Sequence, residues 1–253
     1  MLQVDSITKN FGGITAVANV SFAISKGEVV SLIGPNGAGK TTCFNLITGF
    51  YQPTSGRVQF EGIDITAFDP HRVAQLGVVR TFQKTNVLPR LNVFENVLAA
   101  RHLHGETSAL RAFFPGKAVR VQEQRVRDEA VDLIETLGLS LRINTAAESL
   151  SCGELRLLEV AVALSAGPRL LMLDEPAAGL NTQEAEKLGE ILKRLVGTRV
   201  DALLLVEHNM SLVMSVSHRV VVLNFGRKLM EGSPEQVRNS PEVIEAYLGK
   251  PVE

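Results

Sequence analysis

Residues 29–42 read VVSLIGPNGAGKTT, an apolar run that ends in a glycine-rich turn followed by one lysine and two threonines. The run Val29–Ile33 predicts a buried strand that meets a loop, because it stops at a Gly-Pro pair. Beyond the turn, the spacing of apolar residues such as Phe44 and Ile47 predicts a helix with an apolar face. Gly34–Thr41 fits the pattern G-x-x-x-x-G-K-[ST] in full, in the strand-to-helix setting that a phosphate-binding loop requires. The sequence therefore predicts a nucleotide site.

This segment, Gly34–Thr41, is called the P-loop below. Its glycines let backbone amides close around phosphate oxygens, Lys40 is expected to reach the β- and γ-phosphates, and the Thr41 hydroxyl is expected to ligate Mg²⁺. A chance glycine-rich turn is the competing interpretation, and strand, helix, lysine and threonine together argue against it. The residues predicted to bind the nucleotide here are Gly34, Pro35, Asn36, Gly37, Ala38, Gly39, Lys40, Thr41 and Thr42.

A second strand ends in two acids, in the stretch LLMLDEP at residues 170–176. A carboxylate at the end of a buried strand is costly unless a positive partner is present, and Mg²⁺ is such a partner. Asp174 therefore fits the metal-binding (Walker B) role. Glu175 is predicted to be the general base for a water that attacks the γ-phosphate. The alternative is that Glu175 only caps the next turn.

The stretch LSCGE, residues 150–154, combines a helix start with an anion site. Ser151 followed by Glu154 ahead of an apolar run is a capping box. Unpaired amides and the positive end of the helix dipole can also bind an anion there. The residues alone do not decide between two interpretations of this stretch, a simple helix cap and one half of a phosphate site.

The pattern along the chain predicts an α/β protein. The first ninety residues are strand-rich, and Val126, Ala130, Leu133, Ile134 and Leu137 keep helical spacing within a helical region. After Pro168, strand and helix alternate, which favours a mostly parallel sheet. Two serine–proline pairs near the end, at residues 233–234 and 240–241, predict two short closing helices.

Bulk properties exclude several classes of protein. The chain has 253 residues, 26 basic and 27 acidic residues, and a formal charge of −1, so no global field attracts nucleic acid or membrane. Its longest apolar runs are about five residues, whereas about twenty are needed to span a bilayer. The N-terminal stretch lacks a basic segment followed by an apolar one, so no signal peptide is expected. Two cysteines, Cys43 and Cys152, cannot form a disulfide framework and favour a reducing cytosol.

Taken in order, the P-loop, LSCGE, LLMLDEP and the later VEH resemble the ATPase subunit of ABC transporters over essentially the whole chain. The resemblance implies a single domain, residues 1–253, with a P-loop NTPase core, an antiparallel β subdomain, a helical subdomain at about 90–165 and C-terminal helices at about 233–249. It also implies ATP and Mg²⁺ as cofactors. Two such chains, two copies or a pair of paralogues, would enclose ATP head to tail, so that Ser151 and Gly153 contact the nucleotide of the partner.

Four further positions acquire roles through this resemblance. Phe11 lies where an aromatic ring stacks on adenine, with core packing as the alternative. Gln83 matches the loop that senses Mg²⁺ and the transmembrane partner. His208 matches a histidine that contacts the γ-phosphate, and Asn181 occupies a position more often held by Asp. The signature departs from the usual LSGGQ at Cys152 and Glu154, and Glu154 is expected to turn back and cap the amide of Ser151.

The stretch RTFQKTNVLPRLNVFENVLAA, the insert that follows it, AAGLN and the C-terminal segment resemble the subunits of branched-chain amino acid importers. That resemblance implies two transmembrane permease subunits, a periplasmic or extracellular binding protein acting indirectly, no nucleic acid, and a peripheral place on the cytoplasmic face of the inner membrane. Importers of urea, other amides or other amino acids, an ATPase for lipopolysaccharide export, and a soluble regulatory ATPase are the alternatives. The insert at 101–127 carries a net charge of +4 and is expected to be a solvated face, with contact to anionic headgroups as a second interpretation.

Overall fold

The computed structural model of the chain describes residues 1–81, 87–104 and 117–248, and these form two sheets with helices packed around them. The strands are β1 (Leu2–Phe11), β2 (Ile14–Ile24), β3 (Val29–Ile33), β4 (Ser55–Phe60), β5 (Ile63–Asp64), β6 (Val78–Arg80), β7 (Leu170–Asp174), β8 (Ala202–Val206), β9 (Arg219–Asn224) and β10 (Arg227–Gly232). The helices are α1 (Lys40–Ile47), α2 (Pro70–Gln75), α3 (Val93–His104), α4 (Lys117–Thr136), α5 (Cys152–Leu164), α6 (Thr182–Leu195), α7 (Met210–Val216), α8 (Pro234–Arg238) and α9 (Pro241–Leu248).

The larger sheet is mostly parallel and has the strand order β10-β9-β3-β8-β7-β6, in which β10 alone is antiparallel to its neighbour. Every residue of β3, β7 and β8 is buried, because helices cover one face of this sheet and α1 together with the smaller sheet covers the other. The register pairs Val206 with both Leu32 and Asp174, so the carboxyl ends of these three strands lie at one edge. Ligands of open α/β sheets bind at that edge.

The smaller sheet is antiparallel, with the strand order β2-β1-β4-β5. In β1 the buried residues Leu2 and Val4 alternate with exposed ones, and a bulge at Ser6, where φ is 48°, shifts the register before Ile7. Residues of both sheets and of α1 share one buried cluster. The P-loop and its helix are therefore held between the two sheets.

The helices α3, α4 and α5 pack on one another and on the other face of the large sheet. The apolar face predicted for α4 is buried at Ala130, Leu133 and Ile134, and the chain leaves the helix through Gly138, where φ is 71°. Residues 105–116 of the basic insert lie outside the described residues. At the C-terminal end, Ser233 caps α8 with a proline at the first helical position, as predicted. No helix in the described ranges has the length and apolar composition needed to cross a membrane.

Candidate nucleotide site

The P-loop connects β3 to α1 in a shape that glycine permits. A Cβ on Gly34 would lie 2.2 Å from the carbonyl oxygen of Leu223, and one on Gly39 would lie 2.7 Å from that of Ala16. Both glycines have positive φ, at 150° and 98°. The loop is thus packed closely against β9 and β2, and its shape is set before any ligand binds.

Lys40 begins α1 and points back into the P-loop. Its Nζ donates to the carbonyl oxygen of Gly34 at 2.7 Å and to that of Pro35 at 3.1 Å. Burial lowers the pKa of Lys40, and the carboxylates of Glu175 and Asp174 act in the opposite direction. Lys40 is therefore a buried, hydrogen-bonded cation that lies next to two acids and to the predicted phosphate-binding loop.

Asp174 ends β7 with a side chain that is 0% exposed. Among the described residues, neither of its carboxylate oxygens has a hydrogen-bond partner, and the nearest cation, the Nη2 of Arg80, lies 3.9 Å away. Burial raises the pKa of Asp174, while Arg80 opposes that rise. Buried polar atoms are almost always satisfied, so two unpaired oxygens beside the P-loop fit a divalent cation as their missing partner.

Glu175 and His208 contact each other at the lining of the same cleft. The Oε1 of Glu175 lies 3.1 Å from the Nε2 of His208, and both side chains are partly exposed. Glu175 has a φ of 51°, which is strained for a residue with a side chain, and its amide donates to the carbonyl oxygen of Val206 at 2.8 Å. This backbone conformation directs the side chain of Glu175 away from the sheet edge and toward solvent, where a water molecule can reach it.

Glu207, which has no role predicted from the sequence, supports the backbone around Glu175 and His208. It is buried and accepts from the amides of Ala177 at 2.7 Å, His208 at 2.9 Å and Asn209 at 3.0 Å. These bonds join the end of β8 to the segment after β7, and they fix the backbone that carries His208. The sequence signal that could have identified Glu207 is its position, an acidic residue directly after five buried apolar residues.

These residues surround an open cleft of about 450 Å³. Four of its lining residues were predicted to have specific roles: Lys40 in phosphate binding, Thr41 in metal binding, and Glu175 and His208 in catalysis. Asp174 lies next to them. The remaining lining residues come from the P-loop and two hairpins: Ile14, Thr15, Ala16, Asn36, Gly37, Ala38, Gly39, Thr42, Phe225 and Gly226. The sheet edge thus brings together most of the site predicted from the sequence.

Phe11 is not among the residues that line the cleft. Its ring meets Tyr51 edge-on, with the centroids 5.2 Å apart, and the Nζ of Lys9 lies 5.2 Å from the Phe11 centroid. The apolar side of the cleft is instead formed by Ile14 and Phe225, which is 87% exposed. Stacking of Phe11 on adenine stays a prediction, and Gln83 lies outside the described residues.

The start of α5 lies apart from this cleft and has a local structure of its own. Ser151 caps α5: its Oγ accepts from the amide of Glu154 at 3.3 Å, and Glu154 accepts from the amide of Ser151 at 2.9 Å. Arg142 donates to the other oxygen of Glu154 at 2.7 Å. The predicted cap is confirmed. Ser151 and Gly153 do not line the cleft of their own chain, and Cys152 between them is exposed.

Asn181 is also used locally, as the N-cap of α6. Its side chain accepts from the amide of Glu184 at 3.0 Å, and Glu184 accepts from the amide of Asn181 at 3.1 Å. Glu184 also lies beside α5, since a Cβ on Gly153 would be 2.9 Å from its Oε1. The starts of α5 and α6 are therefore adjacent on one exposed surface.

Comparisons with known proteins agree with this architecture. A family model described as ABC transporter matches residues 17–178, and one described as branched-chain amino acid ATP-binding cassette transporter matches residues 227–253. The high-affinity branched-chain amino acid transport ATP-binding protein BraF of Pseudomonas aeruginosa is 44% identical over 99% of this chain and 98% of its own length. The corresponding protein LivG of Escherichia coli K12 is 42% identical over the same shares.

Solved structures give the same result. An ATP-binding cassette of an ABC transporter in its ADP conformation superposes with a TM-score of 0.86 at 33% identity, covering 99% of each chain. A dimeric cassette in a post-hydrolysis state, bound to ADP and Pi, has a TM-score of 0.75 at 25% identity and covers 92% of this chain and 99% of its own. With its P-loop, paired acids and capped signature helix in this fold, the chain belongs to the ABC transporter family, as an ATP-binding cassette similar to the branched-chain amino acid transport ATP-binding proteins.

Proposed function

We propose that this chain is the ATP-hydrolysing subunit of an importer for branched-chain amino acids, bound to its permeases at the cytoplasmic face of the inner membrane. The substrate class is supported by the similarity to BraF and LivG, which extends over 99% of the chain. Hydrolysis is supported by one geometric observation above all, the 3.1 Å contact between Glu175 and His208 opposite the P-loop.

The P-loop and Lys40 hold the phosphates in this proposal. Amides of the loop bind the β-phosphate, and Lys40 exchanges its bonds to the Gly34 and Pro35 carbonyls for the β- and γ-phosphate oxygens. Thr41, Asp174 and Gln83 would hold Mg²⁺, a choice supported by the Asp174 oxygens that have no hydrogen-bond partner among the described residues. Bound there, the ion would supply positive charge that stabilises the phosphoryl oxygens as they gain charge.

Glu175 accepts a proton from the attacking water, and His208 orients the carboxylate that does so. A partly exposed carboxylate is accessible to water, and the contact with His208 restricts its rotamers. His208 then also contacts the γ-phosphate, which ties the position of the base to the presence of ATP. Uncoupling these two residues therefore removes hydrolysis but leaves nucleotide binding intact.

A second ATPase chain, a copy or a paralogue, completes each site with its residues that correspond to Ser151 and Gly153. This is supported by the separation of these residues from the cleft of their own chain, and by the similarity to a dimeric cassette. ATP that binds the closed dimer far better than the open one shifts the population toward closure. Two permease subunits use that closure, and a periplasmic or extracellular binding protein delivers the substrate.

The test is a pull-down of tagged Glu175→Gln chain from solubilised membranes of its own cell, with ATP and Mg²⁺. Recovery of two multi-helix permeases and a second ATPase chain is expected, and vesicles containing that complex should then take up leucine when wild-type chain and binding protein are supplied. Recovery of soluble proteins alone would overturn the transport function. Uptake of a different substrate would overturn the substrate class only.

A further inference from the structure

Arg80 lies beside the nucleotide cleft, next to Asp174, and the mechanism above gives it no role. It ends β6, and its side chain is 11% exposed. Its Nη2 lies 3.9 Å from the Oδ2 of Asp174, the carboxylate expected to bind the metal. Burial lowers the pKa of Arg80, and Asp174 opposes that change. A buried cation and a buried carboxylate thus neutralise one another next to the P-loop.

The guanidinium is positioned by groups other than Asp174. Its Nη1 donates to the Oδ1 of Asn45, and its Cζ lies 5.1 Å from the ring centroid of Phe44 and 5.0 Å from that of Phe50. Asn45 and Phe44 belong to α1, the helix that carries Lys40 and Thr41. The P-loop helix therefore sets the distance between Arg80 and the carboxylate.

The distance of 3.9 Å between Arg80 and Asp174 distinguishes two roles for the pair, a structural ion pair and a charge partner that leaves the carboxylate oxygens available. A structural arginine–carboxylate pair makes charge-assisted hydrogen bonds at about 2.7–2.9 Å, frequently bidentate, which occupy the carboxylate oxygens. At 3.9 Å the Coulomb attraction persists, but neither oxygen of Asp174 receives a hydrogen bond from any residue within 1–81, 87–104 and 117–248. Arg80 stabilises the charge of Asp174 without taking the positions that a metal needs.

We propose that Arg80 is the resident counter-ion of the metal site, a positioning residue that keeps the Asp174 oxygens available and weakens the binding of divalent cations to them. The proposal rests on the metal-binding role of Asp174 in the proposed function. A fixed positive charge near the carboxylate repels an incoming divalent cation. The metal then binds firmly only when nucleotide phosphates add negative charge, so the site selects the metal–nucleotide complex over the free ion.

The test measures Mn²⁺ binding to the full chain in the presence of ADP, by electron paramagnetic resonance, in Arg80→Met and Arg80→Lys. Removing the charge is expected to tighten Mn²⁺ binding about tenfold, and the lysine variant should stay within about threefold of wild type. Affinity for ADP in EDTA, measured by equilibrium dialysis, should be unchanged in both variants. The matched control is Arg57→Met, which removes an arginine paired with Asp5 at 3.1 Å on the other sheet and should leave Mn²⁺ binding unchanged.

Unchanged or weaker Mn²⁺ binding in Arg80→Met, with ADP affinity in EDTA intact, would overturn the proposal. Loss of ADP affinity in EDTA would also overturn it, because Arg80 would then act on the P-loop and not on the metal. Asp174→Asn separates this result from the proposed function. If that variant binds Mn²⁺ as tightly as wild type, Asp174 is not the ligand, and the assignment of the metal site itself is wrong.

Discussion

The nucleotide cleft and the start of α5 each hold a carboxylate near a predicted phosphate position, but the two carboxylates are in opposite states. Asp174 is buried, neither of its oxygens has a hydrogen-bond partner in the part of the chain that the structure describes, and burial raises its pKa. Glu154 accepts from Arg142 and from the amide of Ser151, and these bonds lower its pKa. The cleft therefore leaves groups unsatisfied for a ligand, whereas the start of α5 is already satisfied and offers a rigid surface to a partner.

The two regions also differ in how the chain builds them. Lys40, Asp174 and His208 follow three different strands and meet only because the parallel register aligns the strand ends. The cap of α5 forms within the four residues Ser151–Glu154, with one long-range bond from Arg142. A change in the cleft should therefore affect chemistry without local unfolding, whereas a change at the start of α5 should affect helix stability and only then function.

The largest effect is expected at Glu175. Glu175→Gln keeps the size of the side chain but cannot take a proton, so kcat should fall about 10²- to 10⁴-fold. ATP should still bind, and the chain should accumulate as a dimer with ATP and Mg²⁺ when measured by size-exclusion chromatography with light scattering. Glu190→Gln, an exposed position on α6, is the control and should leave kcat unchanged. A fall in kcat below tenfold for Glu175→Gln would reject the general-base assignment.

The next effect tests the cleft as a binding site. Lys40→Ala removes a buried cation bonded to two carbonyl oxygens, and ATP affinity should fall about hundredfold because phosphate loses its charged partner. Isothermal titration measures the affinity, and circular dichroism shows whether the fold persists. Retained affinity in a folded Lys40→Ala chain would contradict the placement of the phosphates at the P-loop.

Most of the cleft could be predicted from the sequence, because its parts follow apolar runs whose ends had to meet. Gly34–Thr41 directly follows the buried strand β3, Asp174 ends β7, and His208 is the second residue after β8, while parallel strands bring their carboxyl ends to one edge. The caps at Ser151 and Ser233 could also be predicted from the sequence, because a capping box is complete within four residues. Local and strand-end signals account for these successes.

What the sequence did not predict depends on contacts between distant segments. Arg80 ends a strand of three residues, too short for periodicity to carry information, and its partner Asp174 lies on β7. The positive φ of Glu175 and the packing of Phe11 on Tyr51 are likewise products of tertiary structure. Side-chain neighbours across a sheet cannot be read from the order of residues in either strand.

The start of α5 should respond differently from the cleft. Ser151→Ala removes the cap and should lower the free energy of unfolding by about 1 kcal/mol. If Ser151 also contacts the nucleotide of a partner, ATP hydrolysis should fall, while ATP binding to the single chain is unchanged. Ser233→Ala is the matched control, since Ser233 caps α8 with the same type of capping box. Equal loss of stability with equal, normal hydrolysis in both variants would mean that Ser151 is a cap and nothing more.

The smallest effect concerns the charge of Glu154. Its pKa in the folded chain is lowered from 4.5, first by the bond from Arg142 and then by that from the Ser151 amide. A carboxyl group whose pKa is lowered by folding stabilises the folded chain at pH values above its ordinary pKa. That stabilisation is lost as the pH falls through the pKa that the group has in the folded chain. Arg142→Gln should therefore be less stable than wild type above about pH 4.5, by less than about 1 kcal/mol for a partly exposed pair. The difference should shrink at lower pH.

Urea unfolding of the two proteins across this pH range measures the effect. Asp174 has the opposite effect, because its pKa is raised in the folded chain, so the free energy of unfolding falls as the pH rises above the ordinary pKa of an aspartate. The stability curve of one protein alone therefore contains the contributions of both Glu154 and Asp174. Asp174 is present in both chains, however, and its contribution cancels in their difference. A difference between wild type and Arg142→Gln that stays constant down to about pH 3 would show that Arg142 stabilises the start of α5 through packing. Glu154 would then not be the satisfied carboxylate that separates this region from the cleft.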